Sequence, residues 1–242
     1  MNSKKKLGII GGMGSRAGAF FLKKIIDYSP AESDQEFPEI IFHNNSLTPD
    51  RTRAIVYNEP SPLSSLLRSV DLFNRNQVEV IAMGCITAYY YYDQIIQHTD
   101  AKVINPLYAA VEHINSYYPG ARRIGLLATT GTIRSRLFHK VLNRNGMDVI
   151  TLDRVKQEDI FMRAVYMKNG FKSAHISDEA RRQMYDAMEE ISALDVDIII
   201  GGCTEVSIGI DPKSVDLPYL DLLDLLAREM VEHCYSADLV KK

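Results

Sequence analysis

Short apolar runs alternate along the chain with longer stretches whose apolar positions recur at helical spacing. Runs without a polar face suit strands covered on both sides, so the pattern predicts an α/β fold with mostly parallel sheet flanked by helices. Eight strands are expected, over Leu7–Ile10, Glu39–His43, Val78–Met83, Lys102–Ile104, Arg123–Ala128, Asp148–Leu152, Val196–Ile200 and Pro218–Asp221. Between the second and third, Leu63, Leu66, Leu67, Val70 and Phe73 form one apolar helical stripe. A second helix is expected from Ile133 to Asn145, carrying Leu137, Val141 and Leu142 and stopped by Gly146 in a left-handed turn. A third opens after Ser177, a side-chain cap followed by Asp178 and Glu179, and turns Met184, Met188, Ile191 and Leu194 inward.

The pattern also repeats on a larger scale. "KLGIIGGMGSRAG" is echoed by "RIGLLATTGTIRS", and "VEVIAMGCIT" by "VDIIIGGCTE". Gly8 precedes Cys85 by 77 positions and Gly125 precedes Cys203 by 78. A further strand and helix follow each cysteine, so the chain reads as two related α/β halves. The expected division is 1–106 for the first half, with Cys85, and 107–208 for the second, with Cys203. The segment 209–242 is expected to return to the first half. In open parallel sheets ligands gather beyond the carboxyl ends of the strands, where Gly11–Ser15, Cys85, Thr129–Thr132 and Cys203 all fall. Two halves facing each other would set one thiol on each side of a single cleft.

Composition narrows the function. With 242 residues, 46% of them hydrophobic and 24% charged, and a net charge of −3, the chain reads as globular, with no signature of disorder or of nucleic-acid binding. No apolar run approaches the roughly 18 residues of a spanning helix, and "MNSKKK" leads into a strand-like run, so a cytoplasmic protein off the membrane is expected. The three cysteines, Cys85, Cys203 and Cys234, are too far apart for a disulfide framework or a paired metal motif, which leaves reduced thiols.

Two acid/base groups on opposite faces of a carbon can invert it, one removing a proton while the other delivers one. Cysteine suits that work because its pKa of about 8.5 responds readily to its surroundings. The carbanion needs donors, and Ser15, Thr87, Thr130, Thr132 and Thr204 supply hydroxyls at the strand ends. A lone Gly-Cys after a strand is ordinarily packing; the matched positions of Cys85 and Cys203 argue for more, while Cys234 has no counterpart and is expected to be structural.

Five motifs in order carry a resemblance across nearly the whole chain: "GIIGGMGS" at the start, "PDRT" at Pro49–Thr52, Cys85–Thr87, "ATTGTIRS" at Ala128–Ser135 and "GGCTE" ending at Glu205. The chain resembles the aspartate/glutamate racemase family, whose members act without pyridoxal phosphate or metal. The resemblance implies Cys85 and Cys203 as the two bases, no cofactor, a small amino-acid substrate and a homodimer. It implies that Arg51, read here as part of a loop, holds a substrate carboxylate, as its bidentate fork allows. Thr87, Thr130, Thr132 and Thr204 would hold the α-carboxylate, with Met13, Gly14, Ser15 and Gly131 beside them and Glu205 orienting or poising Cys203. Thr129 and Thr132 are equally able to cap a helix.

Where members of the aspartate-racemase type read Cys-Asn-Thr-Ala-His, this chain reads Cys85-Ile86-Thr87-Ala88-Tyr89. Ile86 can neither donate nor accept a side-chain hydrogen bond, so the substrate's pose must differ. Tyr89 either restores a hydroxyl or packs, and Tyr89 to Tyr92 point in different directions. The expected function is inversion of aspartate or glutamate. The alternatives are racemisation of a neutral amino acid, isomerisation or decarboxylation on the same fold, and a non-catalytic metabolite-binding protein. A dinucleotide site fails because "EIIFHNN" ends in asparagines rather than an acid. A thiol hydrolase would need a histidine partner, for which His43 at the end of the second strand is the one candidate.

Overall fold

Among the described residues eight strands form where the apolar runs predict them, and every pairing is parallel. They are β1 (Leu7–Gly11), β2 (Ile40–Asn44), β3 (Val80–Met83) and β4 (Lys102–Val103), then β5 (Arg123–Leu127), β6 (Asp148–Ile150), β7 (Ile198–Gly201) and β8 (Tyr219–Asp221). The computed structural model describes residues 4–235, so the outermost residues of the first half and of the C-terminal segment, 1–3 and 236–242, lie outside it. The strands make two sheets of the same order, β2-β1-β3-β4 and β6-β5-β7-β8. The repeated sequence is therefore a repeated topology. The central strands β1, β3, β5 and β7 hold Ile9, Ile10, Val80, Ile81, Leu126, Leu127, Ile199 and Ile200 out of water, at roughly 1.5–3 kcal/mol for each such side chain.

Helices cover both sheets. Leu63–Arg75 buries Leu66, Val70 and Phe73, and Phe73 lies so close to β1 that a Cβ on Gly8 would come within 2.9 Å of its ring. Ser177 accepts from the Ala180 N–H and opens Asp178–Ser192, which buries Met184, Met188 and Ile191; Leu194 falls beyond the helix end and is only partly covered. The helix expected over Ile133 to Asn145 is instead broken. Thr129 caps a short helix, Thr130–Arg134, Arg136 turns the chain in the left-handed region at φ 58°, and Leu137–Leu142 follows in a new direction. The break serves the cap: it holds the first short helix at the sheet edge while the second lies over β6 and the helix Pro106–Tyr117. Gly146 does take the left-handed conformation, at φ +73°, after a 3₁₀ turn at Asn143–Asn145.

The C-terminal segment divides its contacts. β8 pairs with β7 in the second sheet, and the helix Leu222–Cys234 packs both on Ser15–Tyr28 and β3 of the first half and on Pro106–Tyr117 and Thr204–Gly209. Cys234 is buried there and its thiol donates to the Lys5 carbonyl. Among the described residues no helix is long and apolar enough to cross a membrane.

Candidate active site

Cys85 directly follows Gly84 at the end of β3, and Cys203 follows Gly202 at the end of β7, each in extended conformation at the start of a helical turn. The turns are a 3₁₀ segment, Ile86–Tyr91, and a helix, Thr204–Gly209. Because the two sheets present these edges to each other, both cysteines line one narrow cavity. Met13, Arg51, Thr52, Ile86, Thr87, Thr129, Tyr166, Lys172, Thr204 and Glu205 complete its wall.

On the first-half side, Arg51 is not in a loop. Asp50 accepts from the Arg53 N–H at 2.9 Å and caps the helix Arg51–Tyr57, so Arg51 sits in its first turn. The guanidinium is buried, donating to the Met13 carbonyl at 2.6 Å and the Pro49 carbonyl at 3.0 Å, and its Nε has no partner. Burial opposes its charge, but Cys85 and Asp50 beside it raise its pKa, so it stays a cation. Thr87 Oγ1 lies 2.9 Å from Thr129 Oγ1 and 3.0 Å from Thr132 Oγ1, a cluster of three buried hydroxyls of which Thr87 and Thr129 line the cavity and Thr132 stands behind them. Gly12 makes the preceding loop possible, with φ +85° and a position where a Cβ would fall 2.3 Å from the Asn45 backbone.

The other sequence candidates fall around this core. Thr130 turns away from the cavity and donates to Glu158 Oε1 at 2.6 Å. Gly131 packs against Thr52, joining the helix Thr130–Arg134 to the helix of Arg51. Gly14 caps the helix Ser15–Tyr28, and Ser15 is exposed, outside the cavity wall. Ile86 is buried in the wall, while the Tyr89 hydroxyl accepts from the Met83 N–H at 3.1 Å and so packs back on β3. His43 is hydrogen-bonded to Ser69, and no histidine lines the cavity, so Cys85 and Cys203 lack the partner a thiol hydrolase requires.

The second-half side is built around Glu205. The Cys203 thiol donates to Glu205 Oε2 at 2.9 Å and the Thr204 hydroxyl to the same oxygen at 3.1 Å. Oε1 faces Lys172 Nζ at 3.3 Å as an ion pair without a well-formed hydrogen bond. Burial and the adjacent Glu205 carboxylate push the Cys203 thiol well above its ordinary value. Burial works against ionisation of Glu205 too, yet the Lys172 ammonium and the thiol donor hold it below the usual carboxylate range. Lys172 in turn stays charged against burial because Glu205 lies beside it.

Lys172 and Tyr166 have no motif around them, and sequence reasoning missed both. They come from an irregular stretch after the π-helical turn Gln157–Met162, on the helix Arg163–Tyr166 and the loop beyond it. A signal existed only for the loop's shape: Asn169-Gly170 is a turn pair, and Asn169 adopts φ 59°.

Two sheets of parallel strands joined at their carboxyl edges, with a thiol from each, define a class. The family model for Asp/Glu/hydantoin racemases matches residues 10–230, and the chain belongs to that family, a racemase and so an isomerase by reaction type. It is similar to the broad specificity amino-acid racemase RacX of Bacillus subtilis, 26% identical over 230 residues that span 93% of this chain and 96% of that protein. Its fold is similar to that of the Picrophilus torridus aspartate racemase, with TM-score 0.82, 23% identity and 97% of both chains covered. The glutamate racemase RacE1 of Bacillus anthracis also shares it, with TM-score 0.63, 16% identity and coverage of 95% and 81%.

Proposed function

We propose that the protein racemises an acidic amino acid, aspartate or glutamate, with Cys85 and Cys203 as the only acid/base groups and no pyridoxal phosphate. The observation that carries this reading is that both thiols, at matched positions of the two halves, line the same cavity. One thiolate takes the Cα proton, and the electron pair spreads into the carboxylate; the other thiol then gives its proton to the opposite face. After one turnover the protonation states of the two sulfurs have exchanged. Cys203, whose proton Glu205 holds, is the donor at the start, and Cys85, beside the Arg51 guanidinium, is the base. The reverse reaction runs with the roles exchanged.

Two cations at the wall, Arg51 and Lys172, support an acidic substrate, one for each carboxylate of aspartate or glutamate. Arg51 has an unpartnered Nε for a carboxylate, and the Thr87 and Thr129 hydroxyls with Thr204 receive the α-carboxylate. Ile86 and Met13 favour a second reading, a neutral amino acid whose side chain lies on this apolar part of the wall. Proton NMR in heavy water decides between them. Loss of the α-proton signal with inversion is expected for aspartate or glutamate and not for leucine or alanine. Cys85→Ser and Cys203→Ser are each expected to abolish inversion, and full activity in either would remove the two-thiol mechanism.

A further inference from the structure

Tyr166 stands at the mouth of the cavity, 40% exposed, and touches the surroundings of both cations. Its hydroxyl donates to Asp50 Oδ2 at 2.9 Å, while the other oxygen of the same carboxylate caps the helix that starts with Arg51. Its ring lies under Lys172, with Nζ 5.1 Å from the centroid, within cation–π range. One side chain of the second half therefore holds the ammonium by its face and the support of the guanidinium by its hydroxyl.

The backbone makes this a rigid linkage. The Phe171 N–H donates to the Ala164 carbonyl at 3.1 Å and the Lys172 N–H to the Val165 carbonyl at 3.2 Å, so the loop that carries Lys172 is bonded back onto the helix that carries Tyr166. Backbone bonds thus tie Lys172 to Tyr166, and the helix cap ties Asp50 to the turn that holds Arg51. The hydrogen bond from Tyr166 to Asp50 joins the two pairs across the mouth. The adjoining contact from Arg16 to the Ser173 and Ala174 carbonyls ties the same loop to the first half farther out. Burial raises the Tyr166 pKa, against the pull of Lys172 and with the help of Asp50, and the phenol remains a donor at neutral pH.

We infer that Tyr166 is a positioning residue that fixes the separation of Lys172 and Arg51, and through it the preference of the cavity for a ligand with two carboxylates. This rests on the acidic-substrate reading for its biological meaning, but the geometry can be tested without turnover. A dicarboxylate of the right reach must find both cations at a set spacing, whereas a monocarboxylate needs only one. Loss of the hydroxyl leaves the Met13 carbonyl, which takes Arg51 at 2.6 Å and Lys172 at the longer 3.4 Å, as the remaining direct tie between the cations, and weakens the first kind of ligand selectively.

The experiment is calorimetric titration of the wild type, Tyr166→Phe, Asp50→Asn and the double variant with succinate and with propionate. Succinate affinity is expected to fall about tenfold in Tyr166→Phe, the lower end for a hydrogen bond to a charged group, with propionate affinity changed less than about twofold. Asparagine retains a capping oxygen at position 50, and the double variant is expected to bind succinate no worse than the weaker single variant. Equal loss for both ligands, additive losses in the double variant, or a wild type that binds no succinate would each overturn the inference. Wild type that binds succinate but never exchanges the α-proton of aspartate would instead refute the acidic racemase and leave the role of Tyr166 standing.

Discussion

Replacing Glu205 by Gln tests the electrostatics of the second-half wall most directly. The carboxylate takes the Cys203 thiol and the Thr204 hydroxyl on one oxygen and faces Lys172 at 3.3 Å with the other. An amide offers one oxygen only. Turned toward the thiol it presents its NH₂ to the ammonium, and turned toward Lys172 it presents NH₂ to the sulfur, so one contact is lost either way. Breaking one side of a fully buried ion pair costs about 3–5 kcal/mol. Here the Glu205 side chain is 4% exposed but that of Lys172 is 23% exposed, and partial hydration of the ammonium brings the expected loss to about 2–3 kcal/mol. For a chain of 242 residues that is a fall in melting temperature of about 4–12 °C.

The assay is thermal unfolding followed by circular dichroism, across pH. Glu205 has its carboxyl pKa depressed in the folded protein, so the stability it contributes is present above the unfolded glutamate pKa of 4.5 and is lost as pH falls through the folded value. The gap between wild type and Glu205→Gln is therefore expected at pH 7 and to narrow below about pH 4.5. Glu205→Gln with Lys172→Met removes both charges and is expected to melt above the single variant. Alkylation adds a local probe: without the carboxylate the Cys203 pKa falls and its reaction with iodoacetamide at neutral pH quickens. A Gln variant that melts with the wild type at pH 7, or a double variant less stable than the single, would refute the reasoning.

Two further substitutions probe the first-half wall. Arg51→Lys keeps the charge but cannot reach the carbonyls of Met13 and Pro49 together, and KM for an acidic substrate is expected to rise at least about tenfold with a smaller change in kcat, read from steady-state racemisation. Gly131→Ala puts a Cβ 2.7 Å from Thr52 Oγ1 and 2.8 Å from its Cα, pushing the helix of Arg51 away from Thr130–Arg134; a loss of about 1–3 kcal/mol in urea unfolding is expected.

The class of fold was legible because parallel strands covered on both faces carry unbroken apolar runs, as "VIAM" and "IIIG" do at the ends that hold the cysteines. The repeat was legible because a strand glycine receives a helix side chain in both halves, Phe73 at Gly8 and Ile191 at Gly125, and the same strand order follows. What could not be read is what depends on distant chain segments meeting. Lys172 reaches the Met13 carbonyl across 159 positions, and Tyr166 reaches Asp50 across 116, from a stretch with no periodicity and only the Asn169-Gly170 turn pair to mark it. The left-handed break at Arg136 was hidden for a local reason, since neither glycine nor proline marks it. Arg51 looked like a loop charge because the cap that makes it helical is the aspartate inside its own motif.

Duplication alone would make two equivalent thiols, and equivalent thiols are poor partners for inversion, because one must hold a proton while the other lacks it. The halves diverge at the second position after each cysteine: Thr87 follows Cys85, and Glu205 follows Cys203. The Thr87 hydroxyl lies against those of Thr129 and Thr132 rather than on Cys85, whose sulfur faces Arg51. Glu205 bends back to its own cysteine and keeps the proton there. The Lys172 ammonium keeps Glu205 an acceptor rather than an acid. Under the two-thiol mechanism, this divergence within a repeated frame supplies the asymmetry that the chemistry needs.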